Sequence, residues 1–419
     1  MIASPPSLTS PAPASACLAL TRRTLRVAVL GCGTVGSALS RRLLEPPVRA
    51  RVELAHVLVR DPRRDRGLPP GLLTDRFERV LDGGPDLVVE LIGGLYPAGA
   101  FVAEALRRGI GVVTANKTLL AHHGAELHAL AREHRAPLAA EASVCSAVPV
   151  LAALARLSAA GITRVRGVVN GTCNSILCAM ADRGWSFEQA LADATRRGLA
   201  EPDPHADVSG RDSAEKLCVL ASACGVEGLV PDLVRTEGIE RVTLEDIAEA
   251  RRRGRRIRLV ASLDLRGGPR ACVAPTLVPL GGPVARAEGP ENVVLIETQR
   301  AGTFTLRGRG AGPEATAAAV LGDVQATLGL GPIPTMLDAS PVSDDRCRRH
   351  IRVRGPGHRL TPQHVSASLG RAGVRAIEVE LGTAAVRIET DRASEEEARA
   401  AADLLAANAV GDSLIMPVE

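Results

Sequence analysis

Residues 198–216, GLAEPDPHADVSGRDSAEK, set Glu201, Asp203, Asp207, Asp212 and Glu215 in front of one lysine, Lys216. The chain carries 51 basic residues, and all but Lys117 and Lys216 are arginine. A GC-rich coding sequence produces such a bias, converting any lysine that serves only as a surface cation. Arginine keeps its proton at any ordinary pH, with a pKa above about 12, whereas burial and neighbouring charges tune a lysine for proton transfer. The two lysines are therefore candidates for acid–base chemistry, set against the plainer reading that they survived by chance. Asp212 and Lys216 stand four apart, acid first, which on a helix puts them on one face. A surface pair of that kind is worth roughly 0.3–0.5 kcal/mol, and arginine would serve it equally. Pro202 and Pro204 fix the irregular shape of the loop carrying Glu201, Asp203 and Asp207. As a calcium loop it fails, lacking the glycine and the terminal bidentate acid of that pattern. Several carboxylates suit a substrate ammonium better.

These residues need a scaffold, and the apolar runs supply one. LRVAVL (25–30) reads as a buried strand, GCGTVG follows, then the helical SALSRRLLE, and VELAHVLVR (52–60) is the next strand. Gly31, Gly33 and Gly36 thus form G-x-G-x-x-G between a strand and a helix, where backbone amides and the helix N-terminus bind a pyrophosphate. Arg60, Asp61, Arg63 and Arg64 end the second strand. Arginine there suits the 2′-phosphate of NADP and an acid suits the ribose of NAD, so NADP is favoured over NAD. A solvated arginine turn is the alternative. Further strands are expected in 85–94, 111–117 and 136–144, with a helix at 101–109, giving a doubly wound parallel sheet with Lys117 just past one strand end.

From about residue 150 the pattern becomes mixed α/β. Residues 242–263 read as a helix and a strand, and 306–324 as a glycine-rich turn entering an alanine-rich helix that returns to the nucleotide domain. After the linker 340–345, strand, helix, strand, strand, helix and strand give a βαββαβ, ferredoxin-like module. One of its strands is 384–390, and the capping box Ser394-x-x-Glu397 starts its second helix. The expected organisation is a disordered leader (1–23), a Rossmann domain (24–149, with a return helix near 313–338), a mixed α/β domain carrying the acid–lysine stretch (150–312), and the terminal module (346–419).

Composition narrows the function classes. Net charge is only +4, and the aromatics are one Trp, one Tyr and four Phe, so nucleic acid is not an expected partner. No apolar run of about 18 residues is present to span a membrane. The first basic residues, Arg22 and Arg23, follow the N-terminal apolar patch rather than preceding it, unlike a secretory signal. Nine cysteines without a CxxC pair fit reduced thiols in the cytoplasm.

GCGTVG, ELIGG, TANKTLLA, EASV, NGTCNSIL, GLAEPDPHADVSGRDSAEKL, EGIERV and GRGAG occur in the order found in homoserine dehydrogenases, which the chain resembles over about residues 25–330. The terminal module resembles an ACT domain, and the resemblance makes 150–312 the catalytic and dimerisation domain. The resemblance implies reversible NAD(P)-dependent interconversion of L-homoserine and L-aspartate 4-semialdehyde in threonine, methionine and isoleucine biosynthesis, by a homodimer or homotetramer. It implies that Lys216 donates the proton and that Lys117 shares the active site. Glu201, Asp207, Asp212 and Thr172 would hold substrate. Gly31, Cys32, Gly33, Thr34, Val35, Gly36, Arg60, Gly93, Lys117, Gly198 and Gly312 would contact the coenzyme. A sodium ion would be held by Glu141 and the backbone oxygens of Val144, Ser146 and Val148.

The chain departs from the family where Cys145, Ser146 and Ala147 replace glycines, and where Leu199 and Ser175 replace tyrosines. Arg258 stands where a lysine is usual. Acidic residues common before Pro356 and Gly357 are absent, so threonine feedback is a separate hypothesis. Three other functions remain: a paralogue with another small amino aldehyde or alcohol as substrate, a non-catalytic sensor of NADP and an amino acid, and an aspartate-semialdehyde dehydrogenase. The last would need Cys145 or Cys173 as nucleophile. Repulsion between the lysines lowers their pKa values and the carboxylates raise them; sequence leaves the balance open.

Overall fold

The computed structural model describes residues 24–200, 203–329, 348–354, 361–381, 385–391, 393, 395–409 and 413–418. The chain falls into two compact units, Met1–Ile333 and Pro334–Glu419.

The first unit opens with β1 (Leu25–Leu30), α1 (Thr34–Leu44), α2 (Pro46–Arg49), β2 (Val52–Leu58), β3 (Leu73–Thr74), α3 (Phe77–Asp82) and β4 (Leu87–Glu90). α4 (Ala98–Arg107), β5 (Gly111–Thr114), α5 (Lys117–Glu133), β6 (Leu138–Ala139) and α6 (Ala142–Cys145) follow. The six strands form one sheet in the order β3-β2-β1-β4-β5-β6, and every neighbouring pair is parallel. Alternation along β1 explains its two covered faces. Val27 and Val29 pack with Leu39 and Leu43 of α1, whereas Ala28 and Leu30 pack with Val102 and Leu106 of α4 and Leu119 of α5. The order reverses between β1 and β4, and the crevice at their carboxyl ends is where such sheets bind ligands.

The strands stop short of the apolar runs. β4 ends at Glu90 rather than running to 94, because Gly93 and Gly94 turn the chain with positive φ. β5 ends at Thr114 rather than 117, because the Asn116 side chain accepts from the Leu119 amide and caps α5. β6 is two residues long, since 142–145 coil into α6.

The second half of this unit contains α7 (Val150–Leu157), β7 (Ile162–Val168), α8 (Gly171–Arg183), α9 (Phe187–Arg196), α10 (His205–Val208) and α11 (Arg211–Ala223). β8 (Arg235–Thr236), α12 (Leu244–Arg252), β9 (Arg255–Asp264), β10 (Arg270–Pro279), β11 (Glu291–Thr298) and β12 (Gly302–Arg309) complete it. The sheet order is β12-β11-β7-β9-β10-β8, antiparallel except for β10 with β8. Residues 306–309, expected in a turn, instead pair with β11. α13 (Pro313–Thr327) then returns to the first sheet, where Ala317, Val320 and Val324 join the core containing Val27 and Val29. α13 ends at Thr327, short of the expected 338, because Leu328 closes it and Gly329 turns the chain with φ +62°; the linker at 340–345 lies outside the described residues.

α5 serves both halves. Its Leu119 packs in the first core and its neighbours Leu120 and Ala121 in the second, among Val165, Ile176 and Leu217. Lys117 is its first residue.

In the second unit β13 (Arg348–Arg354), α14 (Pro362–Arg371), β14 (Ala376–Leu381), β15 (Ala385–Thr390), α15 (Glu395–Ala409) and β16 (Ser413–Val418) run in βαββαβ order. The sheet order β14-β15-β13-β16 is antiparallel throughout. Ile351, Val353, Val386 and Ile388 meet Val365 and Leu369 of α14 and Ala398, Ala402 and Leu405 of α15. Ser394, of the expected capping box, lies outside the described residues.

Candidate active site

The residues entering α8 and the first turns of α11 form one polar cluster. Asn170 precedes α8 and accepts from the Cys173 amide at 2.7 Å, capping that helix. Its Nδ2 donates to Asp207 Oδ1 at 2.7 Å and to Asp212 Oδ2 at 2.8 Å. This carboxamide thus sets the spacing of two acids. Asp212 and Lys216 share the buried face of α11, with Lys216 Nζ 2.8 Å from Asp212 Oδ2 and both side chains 12 % exposed. Lys216 Nζ also donates to the Val169 carbonyl at 2.8 Å. That carbonyl accepts from Asn292 Nδ2 at 3.4 Å as well.

The other carboxylate oxygen faces the nucleotide half. Lys117 Nζ lies 3.3 Å from Asp212 Oδ1 and 4.0 Å from Glu215 Oε2. Thr118 donates to the same Glu215 oxygen at 2.9 Å. Asp212 therefore sits between the two lysines, and α5 and α11 are tied together where they meet.

The charges settle one another. Burial opposes ionisation of Asp212, but Lys216, Lys117 and the Asn170 amide outweigh it and hold this carboxyl below its ordinary range. Burial also pushes Lys216 down, yet the charge and hydrogen bond of Asp212 prevail and its pKa is raised. For Lys216 the carboxylates win the balance that sequence left open. Asp207 is pushed up, first by burial and then by the negative charge of Asp212, against the Asn170 bond.

The thiols lie on the opposite side of that balance. Burial drives Cys145 to about 12 and Cys173 well above its ordinary value. Neither is a thiolate nucleophile at neutral pH. The seven described cysteines are free thiols.

The glycine turn lies between β1 and α1. Gly31 has φ +99°, and a Cβ there would stand 2.7 Å from the Leu91 carbonyl oxygen. A Cβ on Gly36 would stand 2.1 Å from the Gly31 carbonyl oxygen, so these two positions exclude any side chain. Gly33, between them, faces open space. Cys32, Thr34 and Val35 complete the turn, with Cys32 Sγ 3.4 Å from Ser37 Oγ. The cradle, closed behind and open in front, fits a pyrophosphate on the N-terminus of α1.

Arg60 is exposed just past β2. The neighbouring Asp61 binds within its own turn, its Oδ1 accepting from the Arg63 amide at 2.9 Å. Gly93 follows β4, Gly198 follows α9 with φ +69°, and Gly312 precedes α13. Thr172 donates to the Leu199 carbonyl at 2.7 Å, joining the first turn of α8 to the segment leading to the acid loop. Glu201 lies outside the described residues.

Glu141 precedes α6, and its two oxygens accept from the amides of Leu151 and Ala152 at 2.7 and 2.8 Å, at the start of α7. Burial pushes its carboxyl up against these bonds. Val144, Ser146 and Val148 lie between Glu141 and α7. Ser146 takes φ +52° and ψ −110°, a glycine-like conformation, and bonds Thr316 at 2.7 Å. No group of three or more His, Cys, Asp or Glu side chains among the described residues is arranged to hold a metal. A carboxylate and backbone carbonyls are hard oxygen donors, which suit a hard cation. Arg258 is fully buried and donates to the carbonyls of Ala285 and Ala287 at 2.9 and 3.0 Å.

Lys117 and, from residues 198–216, Asp207, Asp212, Glu215 and Lys216 are thus brought together, whereas Asp203 is exposed and accepts from the His205 amide at 3.1 Å, and Glu201 is outside the described residues. Sequence reasoning gave no part to Asn170, Thr118, Asn292 or the Val169 carbonyl, nor a role to Glu215. For Asn170 a signal existed, since Asn-Gly-Thr before an apolar helix is a capping pattern.

Residues 31–141 match the family model described as homoserine dehydrogenase, NAD binding domain, and 149–325 match that described as homoserine dehydrogenase. The homoserine dehydrogenase of Mycobacterium tuberculosis is 41% identical over 312 residues, 71% of this chain and 71% of that protein. That of Corynebacterium glutamicum is 39% identical over 313 residues, covering 71% and 70%. The crystal structure of a homoserine dehydrogenase from Thiobacillus denitrificans superposes with a TM-score of 0.68 at 31% identity, covering 94% of this chain and 98% of that one. A hyperthermophilic archaeal homoserine dehydrogenase in complex with NADPH gives 0.62 at 26% identity, covering 74% and 99%. With its parallel nucleotide sheet, its mixed second sheet and its acid–lysine cluster, this chain belongs to the homoserine dehydrogenases, NAD(P)-dependent oxidoreductases.

Proposed function

We propose that Lys216 is the proton-transfer residue of this dehydrogenase, working between L-aspartate 4-semialdehyde and L-homoserine, with Asp212 holding it charged and in place. The observation that carries the reading is the bonding of Lys216. Of its three N–H groups, one meets Asp212 and one meets Val169, leaving the third for a substrate oxygen. An alkoxide forming on the aldehyde carbon needs a nearby cation and a proton, and one ammonium supplies both. Its raised pKa keeps Lys216 protonated at neutral pH, which favours reduction. In the oxidising direction Lys216 must first lose that proton, so oxidation of homoserine rises toward alkaline pH.

Asp207, Asp212 and Glu201 are assigned to the substrate ammonium and Thr172 to the same pocket. Lys117 joins the nucleotide half to the cluster through Asp212. Gly31 to Gly36, Gly93, Gly198 and Gly312 are assigned to the coenzyme. Bound there, a nicotinamide coenzyme supplies or accepts the hydride. Arg60 favours NADP, because it is exposed while Asp61 is bonded within its own turn.

The same reading includes sodium at Glu141 with the carbonyls of Val144, Ser146 and Val148, a homodimer or homotetramer, and a cytoplasmic setting, which the free thiols support. The βαββαβ module is assigned as an ACT domain. Sodium is tested by replacing it with tetramethylammonium, assembly by light scattering, and the terminal module by titration with threonine.

The deciding experiment mixes the purified chain with L-homoserine and NADP, then NAD, at mildly alkaline pH and follows reduced coenzyme. Turnover with NADP ahead of NAD is expected. NADP binding without turnover would move the reading to a paralogue with a reshaped pocket, for which Ser146, Ser175 and Leu199 are the departures to examine.

A further inference from the structure

Glu90 ends a strand that is otherwise Leu87, Val88 and Val89, and all four residues are completely buried. Its carboxylate is spent on neutral donors. Oε1 accepts from the amides of Ile92 and Gly93 at 2.7 and 2.9 Å, and Oε2 accepts from Thr114 Oγ1 at 2.5 Å. Thr114 is also fully buried and ends β5. Its oxygen accepts from the Asn116 amide at 3.0 Å, and Asn116 Nδ2 donates to the Gly94 carbonyl at 2.6 Å. The bonds close a ring: Glu90, the Ile92–Gly94 turn, Asn116, Thr114 and back to Glu90.

Burying a carboxylate costs several kcal/mol unless its oxygens are satisfied. A residue like its neighbours would fill this site more cheaply, so the ring fixes geometry rather than adding cohesion. Two things are fixed. One is the Gly93–Gly94 turn, with φ +81° and +70°, which lies beside the glycine turn, since a Cβ on Gly31 would press on Leu91 and Ile92. The other is the first turn of α5, which Asn116 caps and Lys117 begins.

We propose that Glu90 and Thr114 are positioning residues for hydride transfer, locking the coenzyme-side turn at Gly93 to the helix that presents Lys117. The proposal rests on the roles given above to Gly93 and Lys117. The ring makes the two strand ends move as one body, so the coenzyme side and the substrate side keep one alignment. A misplacement of about 1 Å costs on the order of 100-fold in rate.

The test uses the full chain with Thr114→Val, Thr114→Ser, Asn116→Ser and Lys117→Ala. Thr114→Val removes the bond to Glu90. Asn116→Ser keeps a capping hydroxyl and breaks only the bond to Gly94, so it serves if Thr114→Val does not fold. Both are expected to lower kcat by about 10- to 100-fold, and to raise the primary isotope effect with homoserine deuterated at its hydroxyl-bearing carbon. Without coenzyme, the Ile92 and Gly93 amides should exchange with solvent about tenfold faster than in the parent chain. Thr114→Ser should restore the rate. Parental kcat, isotope effect and amide exchange in Thr114→Val or Asn116→Ser, with Lys117→Ala crippled, would overturn the proposal. Parental kcat in Lys117→Ala would instead overturn the reading on which it rests.

Discussion

The turn after β1 and the cluster on α11 do opposite things with the same chain. In the turn, the proposed coenzyme role rests on what is missing: Gly31 and Gly36 leave no room for a Cβ, and Gly33 leaves open space. In the cluster, the proposed proton-transfer role rests on side chains that satisfy one another, with Asp212 between two lysines and Asn170 between two acids. The turn needs a local backbone shape, and a six-residue pattern encodes it. The cluster needs three separate segments to converge, and no short pattern encodes that.

Substitutions should separate the two. Lys216→Ala should cost the most, lowering kcat by about 10³-fold while coenzyme still binds, because proton transfer is lost and the glycine turn is untouched. Among the glycines, Gly36→Ala should unfold or badly distort the nucleotide half, since its Cβ meets a carbonyl oxygen at 2.1 Å. Gly33→Ala should keep the parental melting temperature, yet weaken coenzyme binding by about 10- to 100-fold, a direct sign that the open space belongs to a ligand. Equal effects of the two alanines on stability would break the contrast.

Asp212→Asn sharpens the electrostatic side. The carboxylate is the main group raising Lys216 against burial, so an amide leaves only the weaker effects of Cys145 and Asp207 to oppose burial and the lysine pKa falls. The neutral, basic lysine then exists at lower pH, and the alkaline rise of homoserine oxidation should move downward in pH even as the maximal rate drops. A rise that stays in place would mean that another group titrates in it. The smallest effect is expected at Ser146→Gly, which relieves a glycine-like backbone at the loss of one hydroxyl bond to Thr316. The melting temperature should rise by about 1–3 °C.

What the sequence revealed follows the same division. The strand cores, the glycine turn and the helical pairing of Asp212 with Lys216 were legible, because each depends on residues within a turn or two of one another. The apolar runs overshoot the strand ends, since Asn116 caps a helix inside one such run and Gly93 turns the chain after Glu90. Residues 306–309 looked like a turn because glycine marks turns, but pairing with β11 overrode that local preference. The Lys117–Asp212 contact and the Glu90 ring are tertiary facts, made by packing α5 on α11 and β4 on β5. Asn170 carried a capping signal that the sequence reading did not use, and its second task of bonding two acids from one nitrogen appears only once it meets Asp207 and Asp212.

The central claim is that Lys216 moves a proton rather than merely carrying a charge. Lys216→Arg keeps the charge and removes the ability to release a proton near neutral pH. Turnover of L-homoserine by this variant, followed from pH 7 to pH 10, is the direct measurement. The account predicts a rate at least about 100-fold below the parent at every pH, with coenzyme binding retained. A parental rate with a parental pH profile would contradict it.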